Sequence, residues 1–83
     1  MPDATSTREM LEALRGIGFV EASRHGSHLM LRHQKTGLLV TLPTDRAYVP
    51  LVYMRAILQQ LINYRIETPE ELRRVFHILE PSL

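Results

Sequence analysis

The ten residues Arg24 to His33, "RHGSHLMLRH", hold three of the chain's four histidines and two of its ten Lys and Arg residues. An imidazole titrates at about pH 6.5, so near neutrality it can take or give a proton. A guanidinium holds a phosphate through paired, charge-assisted hydrogen bonds. Histidine with arginine on an open surface is therefore the equipment of a phosphodiester site. Such a site needs no metal if the nucleophile is the 2′-hydroxyl of RNA itself. His28 is the leading candidate. It follows Gly26, where a backbone or ligand can approach closely, and Ser27, which adds a donor and an acceptor. Arg24 and Arg32 lie near it in sequence.

Other chemistries fare worse. His25, His28 and His33 have the spacing H-x2-H-x4-H, with no cysteine or carboxylate among them. With His25 in a turn or on the strand of His28, His25 and His33 face away from His28, so no zinc site is expected. Ser27 and His28 are strand neighbours pointing to opposite faces, which argues against a serine nucleophile with a histidine base. Gly16, Gly18, Gly26 and Gly37 form no phosphate-cradling loop. No strand carries paired carboxylates, so glycosidase chemistry has no support. His25, His33 and His77 read as surface residues or satisfied core residues, and no cofactor is implied.

The elements that must position His28 follow from periodicity. Ser6 and Glu9 form a capping box ahead of Met10, Leu11, Leu14 and Ile17, which predicts a helix over about residues 7–15. Gly16 and Gly18 end it. Residues 19–24 predict a strand and Gly26 a turn. Residues 27–34 alternate, with His28, Met30 and Arg32 on one face and Leu29, Leu31 and His33 on the other. Residues 34–37, "QKTG", make a hairpin turn. Residues 38–42 form a third strand with Leu38, Val40 and Leu42 on one face. A loop over 43–49 leads to Pro50, expected as the first residue of a helix carrying Leu51, Met54, Ile57, Leu58 and Leu61. Thr68, Pro69 and Glu71 open a further helix with Leu72, Val75, Phe76 and Leu79 on its apolar face, predicted over 69–80.

The order α-β-β-β-α-α is an α+β fold with a three-stranded antiparallel sheet and an extra C-terminal helix. Helices can cover only one face of so small a sheet. Leu29, Leu31, Leu38, Val40 and Leu42 are expected on the covered face, and His28 on the open one. The 83 residues make a single domain, with residues 1–6 expected as a flexible N-terminus.

The bulk composition agrees with a small folded domain. Hydrophobic residues make up 45% of the chain and cysteine is absent, so neither a disulfide framework nor thiolate chemistry is expected. No apolar run is long enough for a membrane span and the first residues lack a signal-peptide core, which predicts a cytoplasmic protein with no membrane partner. The net charge of +1 is unevenly spread. Arg24, Arg32, Lys35 and Arg46 face only Asp45 in the middle, while Asp3, Glu9, Glu12 and Glu21, then Glu67, Glu70, Glu71 and Glu80, dominate the ends. A basic middle points weakly to a polyanion.

Four motifs in order carry a family resemblance: Gly18-Phe19 after the leading helix, Gly26-Ser27-His28 opening the second strand, Val40 to Pro43 ending the third, and Arg55 to Gln59 in the following helix. Over about residues 6–66 the chain resembles the HicA toxins, small mRNA interferases of toxin–antitoxin pairs. The resemblance implies a fold like a double-stranded-RNA-binding domain and metal-independent endoribonuclease activity on mRNA. It makes His28 the catalytic residue and implies a HicB-like antitoxin that covers it. Gly26, Ser27, Arg24, Arg32 and Lys35 would then contact RNA or its phosphates. The chain departs from the family pattern in two places. Ser23 stands where a basic residue is common, and Thr44-Asp45-Arg46 stands where many members have a histidine. Two other readings of the same residues are a non-catalytic RNA-binding domain and a protein-docking module using Met30, Leu39 or Tyr48.

Overall fold

The computed structural model describes residues 5–76. Ser6 starts the first helix: its hydroxyl accepts from the Glu9 N–H at 3.0 Å, and the Glu9 carboxylate accepts from the Ser6 N–H at 3.0 Å. This reciprocal cap satisfies two helix-end donors at once. Helix α1, Thr7–Gly16, buries Met10 and Leu14. Thr5 and Ser6 are tied down, unlike the free terminus expected over 1–6. Val49 donates its N–H to the Thr5 carbonyl at 3.0 Å, Ser6 bridges Tyr48, and Thr7 donates its N–H to the Ala47 carbonyl at 3.0 Å. Residues 1–4 of that stretch lie outside the described residues.

Three strands follow: β1, Phe19–His25; β2, His28–His33; and β3, Leu39–Pro43. They form one antiparallel sheet in the order β1-β2-β3. The alternation predicted for β2 holds: Leu29, Leu31 and His33 are buried, while His28 and Arg32 are exposed and Met30 is half-buried. Leu38, Val40 and Leu42 are buried on the same side. Helix α2, Leu51–Asn63, adds Met54, Ile57, Leu58 and Leu61 to the layer that covers this face. Each such leucine contributes about 1.5–3 kcal/mol by leaving water. Pro50 is the N-cap of α2 rather than its first helical residue. Its ψ of 143° is extended, and its carbonyl accepts the first helical bond, from the Met54 N–H at 3.0 Å.

Helix α2 ends in a full Schellman motif. The Ile66 N–H reaches back to the Leu61 carbonyl at 2.9 Å and the Arg65 N–H to the Ile62 carbonyl at 3.0 Å. Arg65 occupies the left-handed position with φ 57°. Helix α3, Pro69–Phe76, is capped by Thr68, whose hydroxyl accepts from the Glu71 N–H at 3.2 Å. Leu72 is fully buried in the common core, so α3 belongs to the fold rather than hanging from it. Residues 77–80, predicted to continue this helix, lie outside the described residues. The result is an α+β fold in which, among the described residues, the three helices supply one hydrophobic layer and the opposite sheet face carries none of them. Among the described residues no helix is long and apolar enough to cross a membrane.

Candidate nucleic-acid interface

The turn that carries His28 is two residues long. His25 and His28 are cross-strand partners, and only Gly26 and Ser27 stand between them. Gly26 has φ 61° while Ser27 is not in the left-handed region. A left-handed residue at the first central position is what a type II′ hairpin turn requires, and glycine takes it without strain. The glycine of the motif is thus there for the turn. The serine contributes its carbonyl: Thr44 donates its N–H to that oxygen at 2.6 Å and its hydroxyl at 2.9 Å. The peptide plane leading into His28 is therefore held from outside the hairpin. Arg24 reaches the same hydroxyl, with Nη1 3.5 Å from Thr44 Oγ1.

His28 itself is exposed at the turn end of the uncovered face. Arg32 shares that face, four residues along the strand, a span of about 13 Å. One phosphate cannot sit beside both Cα atoms at once, but adjacent phosphates of a strand laid along β2 can meet each side chain in turn. Lys35 lies at the other end of β2, in the turn before β3, beside a shallow pocket lined by Ile17, Gly18, His33 and Gln34. It is on the molecule's surface but far from His28.

Arg24 is placed by a feature that alternation does not reveal. The register of β1 on β2 shifts between Glu21 and Ser23, so Ala22 is an extra, bulged residue. Before the bulge Val20 pairs with Arg32; after it Arg24 pairs with Leu29. Directly opposed residues point to the same side, so the bulge turns Arg24 toward the helix-covered side, at the sheet's end. It supports the turn through Thr44 rather than sharing a face with His28.

The same register overturns one expectation. The sequence places His25 facing away from His28; the structure pairs them directly on the open face, because a two-residue turn closes the hairpin between them. Both imidazoles are exposed. Among the described residues no group of three or more His, Asp or Glu side chains could hold a metal.

His33 does different work. It is 6% exposed and stacks obliquely on Phe19 with ring centres 5.0 Å apart. Nε2 lies 3.0 Å from the Ile17 carbonyl, which only a donor can satisfy, so Nδ1 is the acceptor for the Thr36 N–H at 3.2 Å. His33 is a satisfied core residue tying the end of α1 to the β2–β3 turn.

Compared with family models, with curated proteins and with solved structures, the chain matches none. The case for its function rests on its own motifs and their geometry.

Two contributors escaped sequence reasoning. Thr44 donates to Ser27 across a loop whose fold is not periodic. His25 could have been found, since two turn residues with glycine first are a hairpin signal.

Proposed function

We propose that this protein is a HicA-like toxin: a metal-independent endoribonuclease that cleaves messenger RNA with His28 as a catalytic residue. The observation that carries the reading is an exposed histidine, in a Gly-Ser-His turn, on a sheet face that no helix covers among the described residues. The spacing of the four family-like motifs supports it, as does the α-β-β-β-α order. RNA would lie across the open face with Arg32 on its backbone, read mainly through shape and phosphate. His28 would move a proton at the 2′-hydroxyl or at the leaving oxygen, a contribution of roughly 10²–10⁴ in rate. A HicB-like antitoxin would hold the toxin silent by covering the same face, and the work would be done in the cytoplasm.

A docking role has one observation in its favour. Half-exposed Leu39 borders a groove of about 220 Å³ between β3 and α2, lined also by Thr41, Tyr53, Ala56 and Gln60. That groove adjoins the open face, so a partner there is compatible with the toxin reading.

The test is incubation of wild type and His28→Ala with labelled mRNA in EDTA. Cleavage by the wild type alone, with the variant still folded by circular dichroism, is the expected result. Equal cleavage by both, or none by either, overturns the assignment.

A further inference from the structure

Cleavage of RNA by its own 2′-hydroxyl moves two protons, and the sequence offers only His28 to move them. The 2′ oxygen must lose one proton as it bonds to phosphorus. The 5′ oxygen must gain one as its bond to phosphorus breaks. A single imidazole has to do both in succession or leave one to water.

The geometry points to His25 as the second proton carrier: we propose that His25 and His28 act together as the acid–base pair of the RNA-cleaving site. The inference rests on the ribonuclease reading above. The two residues are directly opposed across the sheet, on the same open face, at the closed end of a hairpin. Opposed residues of an antiparallel pair have Cβ atoms about 4.5–5.5 Å apart, so two imidazoles can flank one phosphodiester. Both are exposed, β1 is an edge strand, and among the described residues the helices lie on the other face of the sheet. The turn beneath them is fixed by the left-handed Gly26 and by the double grip of Thr44 on Ser27. The pairing is therefore held rather than incidental to a loose loop.

The proton count closes. One imidazole, entering neutral, takes the 2′ proton as O2′ bonds to phosphorus. The other, entering protonated, gives its proton to O5′ as the P–O5′ bond breaks. The products are a 2′,3′-cyclic phosphate and a 5′-hydroxyl, and water exchange resets both rings. No oxidant, metal or covalent intermediate is needed. The charged groups on the elements that carry and hold the turn are Arg24 on the same strand, Arg32 along β2, and Asp45 with Arg46 in the loop that Thr44 begins. Of these, Arg32 shares the open face, about 13 Å along β2, suited to a neighbouring phosphate of the bound strand.

The test uses the full chain and four proteins: wild type, His25→Ala, His28→Ala and His25→Gln. Once the cut site in an RNA is mapped, kcat is measured against pH in EDTA on that oligoribonucleotide. It is measured again on one whose scissile 5′ oxygen is replaced by sulfur. Sulfur leaves without being protonated, so the substitution removes the need for an acid. Wild type should give a bell-shaped profile, since one ring must be neutral and the other charged. His25→Ala and His25→Gln should each lower kcat by roughly 10²–10⁴ on the oxygen substrate and lose one limb of the bell. Thermal unfolding should barely move, because the side chain is exposed. The sulfur substrate should rescue one of the two alanine variants and not the other. Wild-type kcat in His25→Ala, or rescue of both variants or neither, overturns the pair while leaving His28 in place. Absence of cleavage by wild type overturns the ribonuclease reading itself, and this inference with it.

Discussion

Gly18 and His33 lie so close that a Cβ on Gly18 would stand 3.0 Å from Nε2 of the His33 ring. The ring cannot move aside, because that nitrogen donates to the Ile17 carbonyl and Nδ1 accepts from Thr36. Gly18 also has φ 106°, which side-chain-bearing residues rarely adopt. The glycine of the Gly-Phe motif thus serves the joint between α1 and the sheet, and Phe19 stacks on the same histidine.

Gly18→Ala should therefore destabilise the fold by about 2–4 kcal/mol, combining backbone strain with a contact that has no room to relax. Gly16→Ala is the matched control. Gly16 is the last residue of α1, and a methyl group added there would meet nothing within 4 Å. It should be neutral or gain up to about 1 kcal/mol from helix propensity. Urea unfolding midpoints of the two variants check this; similar midpoints would contradict the packing account.

Arg65 predicts the opposite sign. A non-glycine residue in the left-handed region costs about 1–2 kcal/mol, whereas glycine costs roughly 0.5–1 kcal/mol in unfolded-state entropy. The first term is the larger. Arg65→Gly should raise stability by about 0.5–1 kcal/mol through the Schellman turn that ends α2. A lower melting temperature would mean that the arginine side chain makes a contact worth more than its strain.

Thr44 gives a prediction on both stability and activity. Thr44→Val keeps the amide bond to Ser27 and removes the hydroxyl bond, at a cost of about 0.5–1.5 kcal/mol. It also frees Arg24 from its partner. If His28 works as proposed, kcat should fall by about tenfold or more, since small misplacements of a catalytic group are expensive in rate. KM should stay nearly unchanged, because Arg32 is untouched. Thr44→Ser, which keeps the hydroxyl, should restore both. A loss in the serine variant with none in the valine variant would show that the methyl, not the hydroxyl, is what matters.

The sequence by itself determined the elements and their inner faces, because those are local properties. The caps at Ser6 and Thr68, the period-2 run of β2 and the helical stripe of α2 from Met54 to Leu61 each lie within a few residues, although Leu51, expected on that stripe, is exposed. They also determined that His28 lies on the open face, since its strand neighbours Leu29 and Leu31 have to be buried. Only the tertiary structure decided which side chains meet there. The bulge at Ala22 reversed the face of Arg24, the hairpin closed His25 onto His28, and a non-periodic loop brought Thr44 under Ser27. Register and loop path are set by the sum of contacts across strands, and a one-residue slip moves every side chain to the other face. Lys35 shows the same limit from the other side: near His28 in sequence, it lies at the far end of the strand that separates them.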